Sequence, residues 1–223
     1  MKNPAAKRAK AEIVREYGPF PGIEHVAGVT YDGERVWFAS GDKLNALDPK
    51  TGKSVRTIDV AAHAGTAFDG HHLFQLSGDR IQKIEPATGR VLSTIPAPGG
   101  AGSGLAWADG TLWMGQYRNR KIHQIDPETG AVLRTIESNR FVTGVTWVDG
   151  ELWHATFEGD ESDLRRVDPQ TGAVLESLEM PPRVSVSGLE SDGGDQFFCG
   201  GEGSGKVRVV RRPKRRSDNK SDR

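Results

Sequence analysis

The sequence predicts an all-β protein: a five-bladed β-propeller with four antiparallel strands per blade. Three observations carry this reading: a turn string repeated at near-constant spacing, a second hairpin signal ahead of each copy, and no helical period between them. Asp48-Pro-Lys-Thr-Gly52 returns as Glu85-Pro-Ala-Thr-Gly89, Asp126-Pro-Glu-Thr-Gly130 and Asp168-Pro-Gln-Thr-Gly172, at offsets of 37, 41 and 42 residues. Proline presets φ for a turn and glycine supplies positive φ, so each string reads as a hairpin connection.

Taken in chain order, residues 1–10 are basic and read as a flexible N-terminus. Ile13-Val-Arg-Glu-Tyr17 aligns with the outer strand Val132-Leu-Arg-Thr-Ile136 although no blade precedes it. Blade one follows, with a hairpin from Gly28-Val-Thr-Tyr-Asp-Gly33 to Val36-Trp37, the apolar pair Leu44/Leu47, then the turn string and a fourth strand. Asp-Gly between apolar runs is a strong hairpin signal. The same order repeats from Gly65 with Ile81/Ile84, from Gly104 with Ile122/Ile125, and from Gly144 with Leu164/Val167. The fifth unit, Gly188 to Phe198 with Val207/Val210, reaches Arg211 where the acidic turn residue belongs, and no fourth strand follows. The N-terminal strand completes that blade, which closes the ring and removes sheet edges. Ile13, Val14 and Tyr17 are then expected to be buried. One propeller domain spans 11–212, and 213–223 reads as a basic disordered tail. Tyr31, Phe68, Trp107 and Trp147 recur at one strand position and read as core packing.

The listed apolar types make up 35% of 223 residues, and 28 glycines and 12 prolines fit a turn-rich globular chain. No apolar run reaches the roughly 18 residues of a membrane span, and Met1 to Lys10 lacks the apolar stretch of a secretory signal. A single cysteine, Cys199, excludes an internal disulfide. A cytoplasmic monomer without membrane attachment is expected. The zero net charge hides an asymmetry: residues 2–10 hold four basic groups, and 206–223 hold nine basic and two acidic ones. The remaining body carries 17 basic and 28 acidic residues, a net −11 that repels nucleic-acid phosphates.

Because the turn strings barely vary, their face reads as scaffold, whereas the opposite loops differ in length and are where binding residues sit. That second face carries His25, His63, Arg140, Phe157, Glu158, Asp160, Arg183 and Glu202, and a small molecule or peptide terminus is the expected partner. Glu190 is the single acid at a level otherwise held by Thr30, Ala67, Ala106 and Thr146. A carboxylate inside a propeller is costly unless paired, so it is either functional or salt-bridged. His71 and His72 fall in a scaffold turn and read as solvated. The glycines at 200, 201, 203 and 205 lack the strand-loop-helix context of a phosphate loop.

Residues 11–211 resemble the glutamine cyclotransferase-like five-bladed propellers of plants and bacteria. The likeness rests on His72-Leu-Phe-Gln-Leu-Ser77, Gly150-Glu-Leu-Trp153, Ser187-Gly-Leu-Glu-Ser-Asp192, Phe197-Phe198 and Gly205-Lys206. The resemblance implies cyclisation of N-terminal glutamine, which needs an acid/base group at the amide and an oriented amine. The family's catalytic glutamate falls on Phe38, which moves no proton. Its Asn-Glu-Leu-Glu stretch falls on Thr143-Gly144-Val145-Thr146, its Asn and Trp on Ala155 and Phe157, and a lysine on Glu202. Only Gln75 matches.

In that family the residue after the second-strand aromatic faces the site. Around the ring this level reads Phe38, Gln75, Met114, His154 and Cys199, and the resemblance implies that the five converge on the channel as ligand-binding positions. Met114, His154 and Cys199 would offer ligands for a soft metal such as Cu(I), Zn or a thiophilic organometal. The same residue types also pack between blades. Binding is the leading function. The alternatives are a divergent aminoacyltransferase of the cyclotransferase type, with Glu190 and His154 as catalytic candidates, or soft-metal binding.

Overall fold

The structure, a computed structural model, describes residues 6–100 and 102–214. Two strands open the chain, β1 (Lys7–Lys10) and β2 (Ile13–Tyr17). Blade one holds β3 (Val29–Tyr31), β4 (Val36–Ser40), β5 (Lys43–Leu47) and β6 (Ser54–Asp59). Blade two holds β7 (Thr66–Phe68), β8 (Leu73–Ser77), β9 (Arg80–Ile84) and β10 (Val91–Pro96). Blade three holds β11 (Gly104–Ala108), β12 (Thr111–Gln116), β13 (Lys121–Ile125) and β14 (Val132–Glu137). Blade four holds β15 (Val142–Val148), β16 (Glu151–Glu158), β17 (Glu161–Val167) and β18 (Val174–Glu179). Blade five holds β19 (Gly188–Ser191), β20 (Gln196–Gly200) and β21 (Val207–Arg211), and β2 is its outer strand. β2 runs antiparallel to β21, with Ile13 opposite Val210 and Tyr17 opposite Val207. The N-terminal strand closes the ring.

The repeated turn shows why its residues recur. Asp126 accepts N–H bonds from Glu128 and Thr129 at 2.9 and 2.8 Å and the Thr129 hydroxyl at 2.9 Å. These bonds to the charged form hold its carboxyl below the usual range. Gly130 sits at φ 75°, and a Cβ there would lie 2.6 Å from Pro96 O of the preceding outer strand. In blade one the corresponding Gly52 meets the Tyr17 ring instead. Tyr17 therefore stands where an outer-strand residue stands in blades one, two and three, and its hydroxyl donates to Pro49 O at 2.7 Å.

Around the axis the inner strands approach backbone to backbone. A Cβ on Gly104 would lie 2.7 Å from Val145 N, on Gly144 2.6 Å from Leu189 N, and on Gly188 2.6 Å from Ala27 O. Gly28 and Gly65 would meet the backbones of Ala64 and Gly104 in the same way. The ring has no room for a side chain at this level, which fixes glycine at the start of each inner strand.

The core lies between blades, in five apolar clusters, one per seam. The aromatic stripe belongs to it. Trp107 stacks on Phe74 and Trp147 on Trp113, each of the preceding blade, while Tyr31 tilts against Phe198 at 5.4 Å.

Both chain ends differ in part from expectation. Val14 is 38% exposed and Ile13 only half-buried, so Tyr17 alone of the three is buried. An outer strand presents one face to solvent, and polar contacts hold β2 there: Glu16 pairs with Lys206 and Arg208 at 2.9 and 2.7 Å. Lys7–Lys10, expected to be flexible, forms β1, a parallel fifth strand beside β18. Its cations meet Glu176 and Glu179, with Lys7 at 2.8 Å and Arg8 at 2.7 Å. At the other end Arg212 is buried and bonds Asp149 at 2.7 Å, Gly194 O at 3.0 Å and Glu151 at 3.2 Å. It ties blade four to blade five. The expected tail lies outside the described residues from 215 onward.

Candidate functional site

Above the glycine ring, on the face opposite the repeated turns, a funnel of about 470 Å³ opens. Two repeat positions build it. The floor is the residue before each inner glycine: Ala27, Ala64, Ser103, Thr143 and Ser187. The wall is the third residue beyond the Phe38 level, and it differs by blade: Gly41, Gly78, Tyr117, Phe157 and Glu202. Blades three, four and five thus contribute two aromatic rings and a carboxylate, and all three line the funnel. The glycine side is lined by His63, whose Nδ1 is 3.0 Å from Ser77 Oγ and whose Nε2 is 3.7 Å from Asp42.

Each floor and wall group is held differently. Ser103 and Ser187 donate their hydroxyls to Val142 O and Val26 O, across the seams. The Thr143 hydroxyl is buried without a partner among the described residues. Tyr117 stacks on Phe141 with centroids 4.7 Å apart. Glu202 has φ 48°, and its N–H meets Val26 O and Ser187 Oγ, both at 3.1 Å. Such a backbone persists only where its surroundings impose it, and here a bridge to Val26 pins it.

The candidates from sequence divide. His63 and Phe157 line the funnel. His25 stands beside it, 3.9 Å from Glu202 Oε1. Arg140 belongs to a separate groove of about 360 Å³ on blade four, with Asp160 and Arg183. There its guanidinium donates to Glu158 O at 3.0 Å and lies 3.7 Å from Asp163.

The five residues at the Phe38 level do not converge. Phe38, Met114 and Cys199 pack against the preceding blade, each in a different seam, while Gln75 and His154 are buried among partners of their own blades. Phe38 is fully buried against Val207 and Val209 and stacks on Phe20 at 4.8 Å. Gln75 accepts the Thr66 hydroxyl and donates to Leu76 O at 2.8 Å and Ala64 O at 3.1 Å. Met114 packs with Leu76 and Ala67, and Cys199 with Ala155 and Leu164. His154 is buried opposite Arg165 and Val145 on the neighbouring strands. Burial first, then the Arg165 guanidinium, hold its imidazole down at about 4, and burial pushes the Cys199 thiol up to about 12. Among the described residues no three His, Cys, Asp or Glu side chains are grouped to hold a metal ion. At this level a second-strand side chain is taken up in the packing of the sheets, whereas Phe157, three residues further along β16, reaches the funnel. That packing separates the soft ligands.

Glu190 lies on the inner strand of blade five, below the glycine ring and outside the funnel lining. Among the described residues it has no salt bridge. Hydroxyls of Thr30 (2.8 Å) and Thr146 and the N–H of Ser191 (2.8 Å) converge on its carboxylate, tying blade five to blades one and four. Burial raises its pKa to about 7, against the three hydrogen bonds that favour the charged form.

The sequence reading missed Tyr117, Ser103, Thr143, Ser185 and Ser187 as lining residues. The repeats held the signal for most of them, because floor and wall each occupy one fixed offset from an inner glycine or second-strand aromatic.

A family model described as outer membrane protein assembly factor BamB matches residues 77–214. The chain belongs to this family. Among solved structures, this family member is similar to the glutaminyl cyclase of Myxococcus xanthus, with 18% identity and a TM-score of 0.77. That match covers 92% of this chain and 97% of the cyclase. It is also similar to the WD40 β-propeller domain of Doa1, with 18% identity, a TM-score of 0.54, and coverage of 86% and 64%. At these identities the likeness shows a shared fold, that of a glutaminyl-cyclase-like five-bladed propeller. No curated protein matches the chain in sequence. Among the described residues no helix is long and apolar enough to cross a membrane.

Proposed function

We propose that this protein is a binding propeller whose funnel receives a small molecule or a peptide end, rather than a working glutaminyl cyclotransferase. The wall carries the reading. A pocket of this size with aromatic rings, one carboxylate and a floor of small neutral residues has the makeup of a ligand site. The inherited reaction lacks its acid/base group, because Phe38 is apolar and buried in a seam. Glu190, poised near neutrality, sits below the funnel and serves the ring instead. A buried free thiol fits a monomer working in the reducing cytoplasm.

A thermal-shift screen of small metabolites and short peptides tests this. Ser185→Trp fills the funnel from its lining loop. Stabilising compounds are expected to lose their effect in that variant and to keep it in Val55→Thr, on the exposed outer rim. Hits that stabilise both variants equally would place binding elsewhere.

A further inference from the structure

The funnel wall has a chemical bias that the repeats make plain. At one repeat position, consecutive blades carry Tyr117, Phe157 and Glu202, whereas blades one and two carry glycine. Tyr117 and Phe157 are each only half-buried and line the cavity. Glu202 is exposed, with His25 at 3.9 Å as its nearest charge partner, an ion pair that exists only when the imidazole is protonated. In contrast, Glu158 and Asp163 on the same side of the molecule are tied to arginines. The floor adds small, uncharged groups, so the cavity is lined by two aromatic rings, the His63 imidazole and one carboxylate that no lysine or arginine pairs among the described residues. Aromatic faces attract a cation through the ring quadrupole, and a nearby carboxylate supplies the countercharge. Two aromatic rings with one carboxylate are the makeup that receives a quaternary ammonium head, whose charge is spread over its methyl groups and needs no hydrogen-bond acceptor.

We propose that the funnel takes a compact quaternary ammonium head, set against Tyr117 and Phe157 with Glu202 as its counter-ion. This rests on the funnel being a ligand site, and the test separates the two claims.

The experiment is isothermal titration calorimetry of the full chain with choline and with its neutral carbon isostere, 3,3-dimethylbutan-1-ol. Choline is expected to bind about tenfold more tightly than the isostere. Glu202→Gln and Phe157→Leu are each expected to weaken choline by about tenfold or less while leaving the melting temperature unchanged. Equal binding of choline and the isostere would overturn the cation assignment and leave the funnel reading standing. Binding of neither probe would also overturn it, and the thermal-shift screen would then decide the funnel reading alone. Choline binding unaltered in both variants would move the cation elsewhere on the molecule and overturn the proposal.

Discussion

Replacing Glu190 by glutamine should stabilise the protein at neutral and alkaline pH. The carboxylate ties blades four, five and one through Thr146 and Thr30, and burial raises its pKa from 4.5 to about 7. The folded state therefore binds this proton more tightly than the unfolded chain. Stability from this group is fully present below about 4.5 and is lost as pH rises to about 7. The full shift corresponds to about 3 kcal/mol, and residual access to channel water reduces that to about 2–3 kcal/mol. Glutamine keeps the shape and one acceptor oxygen without the charge. At pH 8 the variant should melt about 4–12 °C higher, whereas near pH 4.5 the two should coincide. The assay is thermal unfolding of both proteins from pH 4.5 to 8.5. A variant that melts at or below the parent at pH 8 would refute the argument, because it would show that the charged carboxylate is adequately solvated.

Further substitutions and truncations follow from the packing. Gly65→Ala should cost upwards of about 3 kcal/mol or abolish folding, since the added methyl meets the Gly104 backbone, whereas Gly150→Ala, with open space, should cost about 1–2 kcal/mol of turn strain; chemical denaturation separates them. Phe38→Glu should lower stability by several kcal/mol and restore no cyclotransferase activity, because it buries an unpaired carboxylate between blades five and one, as a melting curve beside an ammonia assay would show. Deleting residues 1–17 should destabilise the ring and promote association through the exposed β21 edge, read by unfolding and size exclusion. Ending the chain after Pro213 should cost little, but ending it after Arg211 should cost about 1–3 kcal/mol through loss of the buried Arg212 clamp.

How far the sequence could be read follows from what sets each feature. The blades, the ring closure and the glycine positions were legible because local turn chemistry and close backbone approach leave one residue type per place, as at Asp126, Gly130 and Gly188. Ile13–Tyr17 was found because it keeps an outer-strand pattern. Val14 was misjudged, since that pattern does not tell which face an edge strand turns to solvent. β1 was missed because Lys7–Lys10 carries no apolar period, and its partners Glu176 and Glu179 lie about 170 residues away in sequence. At the site, His63 and Phe157 were legible from variable loops. Met114, His154 and Cys199 share one repeat position, but equivalent positions stand at different angles around the axis, and Met114 and Cys199 lie in different seams. Tyr117 escaped notice because its meaning appears only when the wall position is compared across all five blades.

The most direct test of the binding reading is mass spectrometry of glutaminyl peptides incubated with the purified chain. No pyroglutamate above a buffer control is expected, since Phe38 offers no acid/base group and Glu190 lies below the glycine ring. Catalytic conversion of the peptides, lost on filling the funnel with Ser185→Trp, would contradict it and make this propeller an enzyme.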